Sequence, residues 1–129
     1  MTLSEALVTS SSRDLDFEDI EALLSSYAGP PTEVLDAIAL EIAHGYAARQ
    51  IDFTSADALA NSMFAFAAQH ACLGDTLHSV FLAFDAGEFA PAKDPVGTDL
   101  EAKYTRPQIA KIIAAIGRSN KSLERSRDG

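Results

Sequence analysis

The sequence lacks several features that would indicate a function, and each absence argues against a class of protein. The single cysteine, Cys72, cannot close an intrachain disulfide or form a cysteine zinc cluster, and its alanine-rich apolar surroundings favour a small buried thiol. The N-terminus has no basic region, and every window of 18 residues contains polar interruptions, so neither a signal peptide nor a membrane span is predicted. We therefore expect a soluble, cytoplasmic protein.

Motifs of nucleotide binding and nucleophilic catalysis are also missing. The chain has no P-loop pattern, no Gly-x-Gly-x-x-Gly and no paired-cysteine motif. A serine or cysteine nucleophile needs an adjacent base and an orienting group, usually at a strained turn, and no such turn is recognisable. The sequence therefore predicts a protein that is not an enzyme and binds no cofactor.

Cations are scarce over most of the chain, whereas acids are frequent. Residues 1–102 contain 17 Asp and Glu but only three cations, a net charge of −14, and residues 103–129 contain seven cations and two acids, a net charge of +5. Phosphate contacts need Lys and Arg on one face, so the acidic body argues against nucleic acid and for a basic protein partner. A surface that is acidic only for solubility is the alternative.

Apolar residues recur at helical spacing through the chain, and no stretch sustains the alternation typical of a strand. Helices are predicted between Asp14 or Asp16 and Gly29, from Pro31 to about Gln50, from Thr54 to the break at Gly74, and from Asp75 to Gly87. The third is apolar on most sides, with Asp57 in a capping-box position after Thr54, and belongs in the middle of a bundle.

A long loop, residues 88–104, precedes the last main helix, which Thr105-Arg106-Pro107-Gln108 starts and whose core face is Ile109, Ile112, Ile113 and Ile116. Residues 1–13 and 118–129 are candidate disordered ends. The C-terminal one has too few apolar residues to fold on, so the alternatives for it are an extension of the last helix and disorder. The fold class is therefore an all-α, single-domain bundle of about five helices that covers residues 1–129.

Two groups of residues could carry a site. Glu41 and His44 form a Glu-x-x-His pair on one helical face, and together with His78 and Asp85 they are the candidates for a metal-binding or catalytic bundle. The stretch V-F-L-A-F-D-A-G-E-F (80–89) places Asp85 and Glu88 at the end of a helix, where Ala86-Gly87 is expected to stop it and Phe89 to fold back as in many caps. Two acids at a helix C-terminus oppose the dipole, which marks a place where a basic partner could bind.

Part of the chain resembles small α-helical bacterial immunity proteins, which neutralise colicin-type toxins. The resemblance covers about 70 residues and lies in G-Y-A-A-R-Q-I-D-F-T-S-A-D-A-L-A-N (45–61), F-L-A-F-D-A-G-E-F (81–89), an acidic loop with prolines, and Y-T-R-P-Q-I-A-K-I-I (104–113). It implies an acidic surface that occludes the basic site of a nucleic-acid-cutting toxin. The basic C-terminal end departs from that role.

These observations favour a non-enzymatic, acidic helical protein that binds a basic protein, with toxin neutralisation as its most specific form. Loops commonly carry recognition residues, so the expected partner contacts are the acids around the long loop: Asp85, Glu88, Asp94, Asp99 and Glu101. The alternatives are the metal-binding or catalytic bundle and a homodimer in which the basic 103–129 end docks on the acidic body of a second copy.

Overall fold

The computed structural model describes residues 1–88 and 94–128, and the side chains within them as far as Gly117. This part of the chain is all-α, without a β-strand, and folds as a single compact domain, which confirms the predicted class. No helix within it is long and apolar enough to cross a membrane. The helices are α1 (Leu3–Ser10), α2 (Phe17–Leu24), α3 (Pro31–Ala47), α4 (Phe53–Gln69), α5 (Asp75–Glu88) and α6 (Arg106–Asp128).

The first helix was not expected, because residues 1–13 were a candidate disordered end. Thr2 caps α1 by accepting a hydrogen bond from the Glu5 amide at 3.2 Å, and Ala6 is fully buried where α1 packs on α4. Eight residues are too few for apolar spacing to stand out from chance, although two turns suffice to bury one small side chain. The other predicted disordered end, residues 118–129, continues the backbone of α6 as far as Asp128.

The acids at the helix starts fix where α2 and α4 begin. Asp16 and Asp19 form a reciprocal capping box on α2, which settles the sequence alternative between Asp14 and Asp16. Helix α4 begins at Phe53, not after Thr54, because Asp52 accepts a hydrogen bond from the Ser55 amide at 2.7 Å. The predicted capping role of Asp57 is therefore wrong.

Helix α4 lies in the middle of the bundle, as its apolar circumference predicted. It packs against α1, α2, α3 and α5, and its apolar side chains are almost fully buried from Leu59 to Ala67 at positions 59, 60, 63, 66 and 67. The fully buried Ile38 and Ile42 of α3 and Leu77, Val80 and Phe84 of α5 complete this core. The core stripes of α3 and α5 thus follow the predicted spacing.

The N-terminus of α5 is capped from another helix. Asp36 Oδ1, on α3, accepts a hydrogen bond from the Leu77 amide at 2.9 Å, and a Cβ atom at Gly74 would lie 2.2 Å from the Asp36 Oδ2 atom. Glycine at position 74 therefore lets the chain pass close to the Asp36 carboxylate, which takes the place of a local cap.

Gly87 does not end α5, which continues through Glu88, so the predicted stop at Ala86-Gly87 is wrong. A Cβ atom at Gly87 would lie 2.2 Å from Thr105 Oγ1 and 3.1 Å from Phe53 Cε2. The buried Thr105 hydroxyl donates to the Ala83 carbonyl oxygen at 2.7 Å. The glycine therefore serves close packing between helices, and the predicted role of Phe89 lies outside the described residues.

Helix α6 begins at Arg106, close to its predicted start, but a further helical turn precedes it. Residues 101–105 form one π-helical turn that runs directly into α6, so Thr105 is inside a helical segment and is not its N-cap. The predicted loop 88–104 is shorter for the same reason: residues 94–100 link to this turn, and 89–93 lie outside the described part. Of the predicted core isoleucines only Ile109 is almost fully buried, whereas Ile112 and Ile113 are half-buried.

Candidate functional site

Helices α4 and α5 pack antiparallel, and the outer line of their contact brings together the residues with the most unusual surroundings. We call this line the α4–α5 seam. On α5 its members are spaced for one helical face, which adjoins the face of the buried Leu77, Val80 and Phe84. The seam consists of Asp57 and Phe64 from α4 and His78, Phe81, Asp85 and Glu88 from α5.

Three carboxyl groups meet at one end of the seam. Asp57 is only 9% exposed, and its Oδ1 atom is buried without a hydrogen-bond partner, whereas Asp85 is half-buried and Glu88 is exposed. Burial, the negative charge of Glu88 and a hydrogen bond with that residue, and the charge of Asp85 together raise the pKa of Asp57 to about 7. We name Asp57, Asp85 and Glu88 the acidic end of the seam.

A hydrogen bond between two carboxyl groups needs a proton, and because the pKa of Asp57 is raised to about 7, Asp57 gains or loses this proton near neutral pH; when protonated, it can donate to Glu88. No ion pair formed by an arginine or lysine within residues 1–88 and 94–117 involves the acidic end. The α5 dipole adds negative potential here, because Glu88 lies in the last described turn of α5. The acidic end can therefore exchange a proton or attract a basic side chain.

Aromatic rings occupy the other end of the seam. The rings of Phe64 and Phe81 stack with their centroids 4.0 Å apart and nearly parallel, and the exposed His78 ring stacks on Phe64 at 6.1 Å. Both phenylalanines are half-buried, and the neighbouring Leu82 is 46% exposed. The aromatic end of the seam, Phe64, Phe81 and His78, thus offers apolar surface beside the carboxylates.

The three predicted contact residues within 94–101 are bound to other parts of the chain. Asp94 forms an ion pair with Lys103 and accepts a hydrogen bond from the Tyr104 hydroxyl at 2.6 Å. Its side chain is only 3% exposed. Asp99 is exposed and accepts a hydrogen bond from the backbone amide of Ala102 at 3.1 Å. Asp94 is therefore mainly a structural residue, and the partner role of Asp99 stays a prediction.

Glu101 belongs to a network between α3 and the start of α6. It accepts hydrogen bonds from the Tyr46 hydroxyl at 2.5 Å and from Arg106 at 2.8 Å, and the Arg106 guanidinium lies over the Tyr46 ring at 4.8 Å. Burial and the bond to Glu101 raise the pKa of Tyr46. Because Arg106 neutralises Glu101, this acid contributes little to an attraction for cations.

The four metal candidates lie in different places. Glu41 and His44 are exposed beside a groove of about 620 Å³ between α1 and α3, and Glu41 accepts a hydrogen bond from the Tyr27 hydroxyl at 3.0 Å. His78 stacks on Phe64, and Asp85 lies at the acidic end of the seam. No three His, Cys, Asp or Glu residues in the described ranges form a group that could hold a metal ion.

Sequence reasoning identified Asp85 and Glu88 but missed Asp57, Phe64 and Phe81 as parts of one surface. The sequence did contain a sign that Asp57 belongs to this surface. Asp57 lies seven residues before Phe64, hence on the same helical face, and the helix is otherwise apolar on nearly all sides. A local capping pattern with Thr54 concealed it. Comparison with protein-family models, curated proteins and solved structures gives no significant match.

Proposed function

We propose that this chain is a non-enzymatic helical protein that binds a basic protein partner through its acidic surface. In its most specific form the function is that of an immunity protein, which covers the basic, nucleic-acid-cutting site of a toxin. The observation that carries the proposal is the acidic end of the seam, where Asp57, Asp85 and Glu88 gather without a cation from the described residues.

The charge distribution supports the same function. Residues 1–102 have a net charge of −14, and the ion pairs within the described side chains involve only Asp19, Asp94 and Glu101 among these acids. Most of the negative charge is therefore left to act outward. Such a field steers a basic partner and accelerates association, and added salt weakens it.

The test is to capture partners of the tagged full chain from the lysate of its source cell and to measure the purified complex by calorimetry over a salt series. We expect a cationic protein whose affinity falls as salt increases. The double variant Asp85→Asn with Glu88→Gln is expected to weaken it, whereas Glu21→Gln, an exposed acid on α2, serves as the matched control. No saturable partner, or a partner whose affinity is independent of salt, would refute the proposal.

The purified chain also serves to distinguish the homodimer alternative from the proposed binding of a basic partner. Sedimentation of the purified chain at low and high salt would reveal self-association driven by the basic 103–129 end. A stable dimer at high dilution that dissociates in salt, with no captured partner, would replace the proposed function.

A further inference from the structure

The two ends of the seam form one continuous strip on the surface of α5. Residues 78, 81, 85 and 88 follow at intervals of three and four, so they lie on one helical face, and Leu82, four residues after His78, borders this face. From residue 78 to residue 88 the helix rises about 15 Å, which an extended peptide of about four to five residues would cover. A single segment of a partner can therefore contact both ends at once.

The apolar part of the strip is open to solvent. Leu82 is 46% exposed, and the rings of Phe64 and Phe81 are half-buried in a nearly parallel stack with their centroids 4.0 Å apart. Exposed apolar side chains that lie side by side and are bordered by polar residues are typical of a protein interaction site. A ring face that remains accessible also attracts a cation.

The acidic part of the strip contains a buried oxygen atom that has no hydrogen-bond partner in the described residues. Asp57 Oδ1 has no hydrogen-bond partner, although nearly all buried polar atoms in folded proteins have one. Its neighbours Asp85 and Glu88 add two carboxylates within the same strip. A donor of several N–H groups in a planar fork, as in arginine, can bond two carboxylates at once, and lysine can do so as a point charge.

We propose that the α4–α5 seam binds a basic side chain of a protein partner, arginine before lysine, with the cation at Asp57, Asp85 and Glu88 and a flanking apolar side chain on Phe64, Phe81 and Leu82. This inference rests on the proposed function and specifies its contact surface. Charge complementarity selects the occupant, because the carboxylates of the strip are not paired with a cation in the described residues. The acids at 94 and 101 already have cations of their own, so the seam replaces the loop as the main contact.

The test uses the full chain, labelled with nitrogen-15 and carbon-13, and two blocked peptides, acetyl-Leu-Arg-Leu-amide and acetyl-Leu-Gln-Leu-amide. We expect the arginine peptide to cause saturable shifts confined to the seam, and the glutamine peptide to bind at least about fivefold more weakly. Leu82→Gln and the double variant Asp85→Asn with Glu88→Gln are each expected to weaken binding of the arginine peptide about fivefold or more.

Controls separate the seam from the general acidity of the protein. Glu21→Gln removes an exposed charge on α2, and Val8→Gln replaces a side chain that is 72% exposed on α1, so neither is expected to change the peptide affinity. Phe81→Leu keeps most of the packing volume but removes the ring, and it is expected to weaken binding without unfolding the chain.

Each other outcome overturns the inference. Shifts scattered over the acidic surface, equal binding of the two peptides, or seam variants without effect would show that the seam is not the contact. Seam signals that move with protein concentration alone would identify a second copy as the occupant. If a captured basic partner binds in a salt-sensitive manner but ignores the seam variants, the proposed function stands and this inference fails.

Discussion

Replacing Asp57 by asparagine tests the acidic end directly, because it removes a charge that the fold disfavours and keeps the shape of the side chain. An acid whose pKa is about 7 in the folded chain and about 3.9 in the unfolded chain takes up a proton on folding when the pH lies between these two values. The contribution of Asp57 to folding stability is therefore most favourable below about pH 4. It becomes less favourable as the pH rises from about 4 to about 7, and it stays unfavourable above about pH 7.

The magnitude follows from the size of the shift. A difference of about three pKa units corresponds to about 4 kcal/mol, and local relaxation around the exposed Glu88 reduces the expected loss to about 2 to 4 kcal/mol. The variant Asp57→Asn keeps a permanent N–H donor toward Glu88 and does not ionise. We expect the free energy of unfolding of the variant to exceed that of the natural chain at about pH 8 and to be nearly equal to it at about pH 4.

Urea unfolding, followed by circular dichroism from about pH 4 to pH 8, measures this difference. Glu21→Gln is the control, since it removes one exposed negative charge and reports the general effect of net charge on stability. Carbon-13 titration of the Asp57 carboxyl group gives an independent reading, with a midpoint expected near pH 7. Parallel stability curves for the variant and the natural chain, or a midpoint near pH 4, would refute the reasoning.

Substitutions at Gly87, Asp36 and Tyr46 test the packing around the helices of the seam, and thermal or urea unfolding measures each. Gly87→Ala should destabilise the chain by about 1 to 3 kcal/mol, because the new Cβ atom forces the buried Thr105 hydroxyl from its hydrogen bond. Its control is Gly117→Ala, whose Cβ atom meets no described atom within 4 Å and which should stabilise the chain by about 0.5 to 1 kcal/mol. Asp36→Ala should cost about 1 kcal/mol, since it removes the cap of α5, and an equal loss in Asp36→Asn would contradict a capping role. Tyr46→Phe should cost about 1 kcal/mol by removing a hydroxyl that donates to a carboxylate, and an unchanged midpoint would show that this bond contributes nothing.

The sequence predicted the parts of the fold that depend on local periodicity. The positions and core faces of α2, α3, α4 and α5 were predicted from their apolar stripes. A helix that buries one side has an apolar residue at every third or fourth position, and this repeat is visible in the sequence. Local patterns misled where two of them competed. Asp52 and Thr54 are both good helix caps, and only the packing of α4 against α5 shows that Asp57 is turned inward.

Contacts between residues distant in the sequence account for the other errors. Gly87 reads as a helix stop until Thr105, 18 residues later, is seen to occupy the space of its missing side chain. Likewise Glu101 reads as a free loop acid, but a π-helical turn places it beside Arg106 and Tyr46. Asp85 and Glu88 were identified correctly as neighbours because they are three residues apart on one helix, whereas Phe64 enters the same surface only through the pairing of two helices.

Because Asp36 of α3 caps α5, the start of α5 becomes stable only after α3 has packed against it. Asp36 bonds the Leu77 amide across 41 residues of chain, so the first turn of α5 gains this bond only after α3 has docked. A helix pair cut out as residues 53–88 would lack it and fray at that end. We expect the Leu77 amide to exchange its hydrogen only when α3 and α5 separate, as one cooperative unit, so that the seam keeps its shape until a large part of the domain opens.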